Sequence, residues 1–314
     1  MLSILLAAQF LFMSDRDSFW NPDVLSVDIE LMEKMDSPAQ KVDFRRFQGK
    51  KVLFLVHGFN NSAEDARTTY EAIYSEISPL LDASANPLYD VVIGYFWPGG
   101  DERLEYFLAQ KNADLLASRV GLHLRSLALF SSQLDVLAHS LGNRVVLDAL
   151  TSLSSASITP VNDPSFSLIA WLKNRWFTPA KLDPWKPVRN FYSLGAAVDN
   201  ESIEKNQKYF GATQQCRNMY VFHSHNDDVL KFLYLVADQD RALGLDGSED
   251  LDMTPKNVQL IDCASFVKGH SAYFFAKPLY KFIQNQQARK TMATDSAPHV
   301  KLLADGLIAP ITQD

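Results

Sequence analysis

The stretch LDVLAHSLGNRVVLDAL (134–150) decides how the rest of the chain reads. LDVLA (134–138) is a short apolar run of strand character, and from Leu141 to Leu153 apolar residues recur at helical spacing. Ser140 stands in the turn between them, with Ala138 and Gly142 two residues to either side. A chain that turns so sharply from strand to helix has no room there for larger side chains, which accounts for both small residues. The same turn carries the Ser140 hydroxyl to the end of the strand. It also sets the Leu141 N–H at a helix N-terminus, where backbone donors favour negative charge. The bland alternative is a serine that only caps the helix.

Working outward, the same unit recurs. KVLFLV (51–56) leads into a helical pattern over Ser62–Ile77, and DVVIGYFW (90–97) into one from about Arg103 to Ser126. VRNFYSL (188–194) precedes a short helical patch near Glu201. MYVFHS (219–224) precedes VLKFLYLVA (229–237), and VQLID (258–262) precedes HSAYFFAKPLYKFI (270–283). Continuous apolar runs fit strands covered on both faces by helices. Six such units in alternation predict an α/β fold with a mainly parallel central sheet flanked by helices. VLSVDIEL (24–31) and VDFRRF (42–47) alternate apolar with polar residues and read as an antiparallel pair at the sheet edge. Residues 154–187, with Trp171, Trp176 and Trp185, break the rhythm as an aromatic-rich, cap-like insertion that is either a lid or a surface insertion with its own apolar cluster. Residues 1–285 therefore read as one domain, and 286–314 as a polar, loosely attached C-terminal tail.

Composition narrows the function. The 314 residues carry 30 Lys+Arg against 37 Asp+Glu, a net charge of −7, with no basic block to offset it. Such a surface repels phosphate backbones, so nucleic acid is not an expected partner. Two cysteines, Cys216 and Cys263, are too few for a disulfide framework and read as free thiols in a reducing compartment. The apolar run Leu2–Met13 is short of the ~20 residues that span a bilayer. It reads as a buried first strand or helix, or as a hydrophobic leader; the expected location is cytoplasmic, with secretion left open.

The chemistry-bearing residues cluster at strand ends. The turn around Ser140 matches the nucleophile elbow G-x-S-x-G with Ala138 in place of the first glycine. An acyl-transfer serine needs a base, and the base an orienting carboxylate. Of seven histidines, His270 lies after the last strand run and before the final helical pattern, where a short loop reaches toward Ser140. His139 is inside the turn, His123 within a helical stretch and His299 in the tail. Three carboxylates compete for the acid: Asp227 in the loop after YVF, Asp228 beside it, better suited to capping the next helix, and Asp199 after SLGAAV. His223 and His225 invite a metal reading, but no third ligand stands at suitable spacing, and no metal is expected. His57-Gly58 after KVLFLV is, on its own, as well explained by a tight turn with a buried histidine.

Taken together these motifs resemble the α/β-hydrolase superfamily, in particular a bacterial, poorly characterised branch marked by HGFN, a WP dipeptide and AHS-x-GNRV. The chain has HGFN at 57–60, Trp97-Pro98, AHSLGNRV at 138–145, SHNDDVL at 224–230 and GHSAYF at 269–274. The resemblance spans roughly residues 50 to 285. It implies Ser140 as nucleophile, His270 as base and Asp227 as acid, in the order Ser…Asp…His. It further implies that His57-Gly58 leads the oxyanion loop, with the Phe59 and Leu141 N–H groups as donors and His57, Gly58, His139 and Gly142 as supporting residues. The branch usually has Met where Leu141 stands, which a backbone donor tolerates, and the 154–187 insertion is longer than the branch leads one to expect.

The expected function is that of a serine esterase needing no cofactor and no obligate protein partner. Phe59, Phe96 and Trp97 near the strand ends suggest a small-molecule ester with an apolar acyl or aryl group. A lipase, thioesterase, amidase or acyltransferase would use the same triad, and a hydrolase-fold binding or scaffolding protein would use none of it.

Overall fold

The computed structural model describes residues 8–17, 25–33, 37–81, 87–100, 105–155, 186–288 and 298–311. Its centre is an eleven-stranded sheet in the order β11-β10-β9-β8-β7-β6-β4-β5-β1-β2-β3. The strands are β1 (Gln9–Arg16), β2 (Leu25–Met32), β3 (Gln40–Lys41), β4 (Lys51–Val56), β5 (Val91–Phe96), β6 (Gln133–His139), β7 (Val188–Leu194), β8 (Cys216–His223), β9 (Val258–Asp262), β10 (His299–Leu302) and β11 (Ile308–Pro310). From β10 across to β1 every neighbouring pair is parallel, and only β2, β3 and β11 run antiparallel to their neighbours. All six strand–helix units read from the sequence contribute their strands.

The helical patch expected near Glu201 is a series of turns, but the four longer helices fall where the apolar periodicity placed them. They are α1 (Ala63–Leu81), α2 (Tyr106–Phe130), α3 (Gly142–Ser155) and α4 (Lys277–Ala288), with single-turn pieces elsewhere. Ser62 opens α1 with a reciprocal cap: its hydroxyl accepts from Asp65 N at 3.1 Å, and its own N–H donates to the Asp65 carboxylate at 3.3 Å. Alternate residues of each strand feed opposite cores. Val52, Phe54 and Val56 of β4 pack with α2 and α3, while Leu53 and Leu55 pack with α1 and α4.

Several expectations need correcting. VDFRRF (42–47) is not a strand: Asp43 accepts from Arg45 N and starts a 3-10 turn over Phe44–Phe47, and the strand that pairs with β2 on its outer side is Gln40–Lys41. The predicted tail holds the end of α4 and two strands, β10 and β11, which extend the sheet beyond β9. Val300 and Leu302 are buried there, an alternation too short to stand out in a polar stretch. Residues 9–16 form β1, an interior strand between β5 and β2, in keeping with the buried-strand reading of that apolar run. The insertion at 154–187 lies almost wholly outside the described residues. Among the described residues no helix is long and apolar enough to cross a membrane.

Candidate active site

Strand order reverses around β4. From β4 the chain goes to β5 on one side, then returns to place β6 on the other. Open parallel sheets bind ligands at the carboxyl ends of their strands at such a switch point. The two segments that end there are the His57-Gly58 loop after β4 and the Ser140 turn after β6.

The Ser140 turn is strained and tightly held. Ser140 has φ +54°, a left-handed conformation that costs a residue with a side chain of order 1–3 kcal/mol. Its N–H donates to Leu194 O at 3.0 Å, and its carbonyl accepts from Asn143 N at 3.1 Å and Asn143 Nδ2 at 3.0 Å. The same Asn143 amide donates to Leu194 O at 3.1 Å, which ties the turn to the end of β7. Asn143 is fully buried and was not singled out from the sequence, although it is the Asn of GNRV. A Cβ on Gly142 would collide with the His57 carbonyl oxygen, so glycine is required there by contact with the neighbouring loop. Gly58 is equally constrained: a Cβ would lie 2.8 Å from Ser140 Cβ.

The His57 loop is fixed from several sides. His57 Nδ1 donates to Gly58 O at 2.7 Å, while its Nε2 accepts from Trp97 N at 3.3 Å and faces Arg16 Nη2 at 3.3 Å. Its backbone N–H donates to the Tyr70 hydroxyl at 2.9 Å, and its carbonyl accepts from Trp97 Nε1 at 2.8 Å. Burial pushes the His57 imidazole well below its ordinary value and the Arg16 guanidinium adds to this, so the ring is neutral. Phe59 is half-buried with its ring edge-on to Tyr106 at 5.3 Å, and Asn60 follows at φ +57°. Trp97 and Phe96, read from the sequence as pocket candidates, are fully buried; Trp97 stacks on His57 at 5.6 Å and belongs to the scaffold of the loop.

Asp227 and His270 are brought together. His270 Nδ1 donates to Asp227 Oδ2 at 2.8 Å. A carboxylate can only accept, so in the neutral ring Nδ1 carries the proton and Nε2 keeps its lone pair. Asp227 has no solvent exposure and spends its other oxygen, Oδ1, on Leu230 N at 3.1 Å. His139, the residue before Ser140, bonds through Nε2 to the His270 carbonyl at 2.8 Å, with ring centroids 4.5 Å apart. Burial, then the nearby His270, hold His139 well below the usual histidine range, and its Nε2 is the donor to that carbonyl. Ser140 and His270 are thus joined through one side chain.

The rival acids lie elsewhere. Asp199 Oδ1 accepts from the Tyr234 hydroxyl at 2.6 Å, and Asp199 bridges to Ala242. Asp228 is exposed at the start of the π-helical turn Val229–Tyr234 and makes no capping bond. The capping role expected of Asp228 falls instead to Asp227, which makes it through Oδ1 while Oδ2 keeps the bond to His270. His223 does not pair with His225, which is exposed; its Nε2 meets His299 Nε2 at 2.9 Å, and burial together with His299 lowers it to about 4. Among the described residues one acidic trio, Asp199, Glu201 and Asp240, has oxygens within 4.8 Å of one another, an arrangement that exposed acids commonly adopt without an ion. Cys216 and Cys263 are free and buried.

No curated protein and no solved structure matches this chain. The family described as alpha/beta hydrolase of unknown function (DUF900) matches residues 37–278, from before β3 into α4. With that span covering most of the chain, and with the sheet and strand-end loops above, the chain belongs to this α/β-hydrolase family.

Proposed function

We propose that the protein is a serine hydrolase that cleaves carboxylic esters through an acyl-enzyme on Ser140. The observation that carries this reading is the Asp227–His270 hydrogen bond at 2.8 Å, tied by His139 to a left-handed serine turn. His270 Nε2 takes the Ser140 proton as Oγ attacks the ester carbonyl. The Phe59 and Leu141 N–H groups then hold the oxyanion, a contribution worth ~3–4 kcal/mol per donor in comparable sites. His270 returns the proton to the leaving alcohol, and water repeats the cycle to release the acid. Asp227 keeps Nδ1 protonated and stabilises the imidazolium.

An apolar acyl or aryl group is supported by what flanks the site. Phe59 packs on Tyr106 and Tyr106 on Phe107, which is exposed, while Val229, Phe232 and Leu235 are exposed on the segment directly after Asp227. Exposed large apolar side chains clustered beside a polar site fit an apolar ligand better than a charged one.

A fluorophosphonate probe tests the reading. Wild-type protein is expected to label, Ser140→Ala not at all, and His270→Ala far more slowly. p-Nitrophenyl esters from acetate to palmitate should then show one preferred chain length. Absence of labelling in folded wild-type protein would remove the hydrolase mechanism and leave a binding protein on a hydrolase fold.

A further inference from the structure

We propose that Arg16, at the end of β1, is a positioning residue for the oxyanion loop: it fixes the His57 ring, and through it the direction of the Phe59 N–H. The proposal rests on the hydrolase reading above and assigns a role to a strand that none of the sequence motifs touch.

The argument starts from the peptide linking Gly58 and Phe59. In a trans peptide the C=O and N–H point in opposite directions, so whatever fixes the Gly58 carbonyl also aims the Phe59 N–H. The Gly58 carbonyl accepts from His57 Nδ1 at 2.7 Å and from Asn61 Nδ2 at 3.3 Å. Asn61 Nδ2 also donates to Phe59 O at 2.7 Å. Arg16 in turn holds the His57 ring and the Asn61 backbone carbonyl. Its Nη2 lies 3.3 Å from His57 Nε2 and 3.0 Å from Asn61 O, and its Nε donates to Trp97 O at 3.0 Å. The guanidinium also sits over the Phe96 ring at 5.5 Å from the centroid.

Chemistry gives this arrangement a direction. A guanidinium has no acceptor, so a hydrogen bond between Arg16 and His57 requires the lone pair to be on Nε2. That places the only ring proton on Nδ1, where it reaches the Gly58 carbonyl. A ring protonated at Nε2 instead would turn a donor toward Arg16 and a lone pair toward that carbonyl, reversing both contacts. Arg16 is buried completely and its planar fork meets three groups at once, which a lysine cannot reproduce.

The test separates this role from plain stability. In wild-type protein, ring nitrogen NMR of His57 should show a single neutral form with the proton on Nδ1 from pH 5 to 8. A wild-type ring carrying its proton on Nε2 would overturn the proposal. In Arg16→Met the Trp97 N–H still donates to Nε2 and keeps the proton on Nδ1, but the ring loses its guanidinium anchor. Its Nδ1 proton should therefore exchange faster and kcat should fall about 10- to 100-fold, with KM within about twofold, less than the ~10²–10³ for outright loss of one oxyanion donor. Arg16→Lys should fall in between, and carries the comparison alone if Arg16→Met does not fold. Leu11→Ala, a cavity in the same strand away from the loop, should lower the melting temperature while keeping kcat within about twofold. Folded Arg16 variants with unchanged Nδ1 proton exchange and full kcat would refute the positioning role while the hydrolase reading stands. No labelling or turnover in wild type, with Nδ1 proton exchange still dependent on Arg16, would refute the hydrolase reading and with it the catalytic half of the proposal.

Discussion

At the scale of single residues, the site is a set of side chains each spending one group on structure and leaving another for chemistry. Asp227 gives Oδ1 to a backbone N–H and Oδ2 to His270. Asp227→Asn keeps the shape but puts a donor or a weaker acceptor against Nδ1, so kcat for a p-nitrophenyl ester should fall by up to ~10⁴ with little change in KM. Retained kcat in that variant would point to another acid. Asn143→Ala removes one donor each from Ser140 O and Leu194 O, both of which keep a backbone donor, and should cost about 0.5–1.5 kcal/mol in urea unfolding, with weaker fluorophosphonate labelling. Ser140, His270 and Asp227 stand out in the sequence because their chemistry and order are local signals at strand ends. Arg16 and Asn143 do not, because their value lies in contacts across 41 and 51 residues of chain that no spacing records. Asp228 misled for a related reason: position alone suits it to capping, but the turn that follows orients Asp227 inward instead.

At the scale of elements, strands buried on both faces were legible and edge strands were not. β4 to β9 are continuous apolar runs, and each was found where the run lies. β10 shows only two buried residues, Val300 and Leu302, among polar neighbours, so its membership in the sheet comes from pairing with β9 rather than from its own pattern. Removing residues 298–314 should therefore cost about 3–6 kcal/mol, the burial of two such side chains, and leave the β9 edge open. Chemical denaturation and light scattering check this; an unchanged midpoint without self-association would show that the two strands contribute nothing. His299, the first residue of β10, also contacts His223 near the acid loop. His299→Ala should leave ester kcat within about twofold if that contact serves only the sheet edge.

At the scale of the molecule, three histidines are buried and held below their ordinary values: His57, His139 and His223. Unfolded, each titrates near 6.5. Because the folded pKa is the lower one, the unfolded chain binds more protons as pH falls, and the native advantage present above 6.5 is progressively lost below it. For His223, lowered to about 4, the loss at pH 5 is about 2 kcal/mol. Asp15 adds a further loss at still lower pH: burial alone would raise it, but His123, Tyr95 and Arg119 outweigh that and lower it. Asp148, raised to about 6 by burial, returns part of this loss as pH falls. Urea midpoints should therefore fall modestly from pH 7.5 through 6 to 5, and a midpoint that rises across that range would contradict the neutral, buried assignments.

The position of β1 has a consequence for biosynthesis. Gln9–Arg16 is synthesised before its parallel neighbour, β5, which ends at Phe96. The apolar strand must wait for some eighty residues of nascent chain before its slot exists, a delay that long-range parallel pairing imposes in general. Until then it lacks that partner, and the guanidinium at its end is absent from the loop it contacts. On the proposal made for Arg16, docking of β1 is also the step that completes the loop after β4.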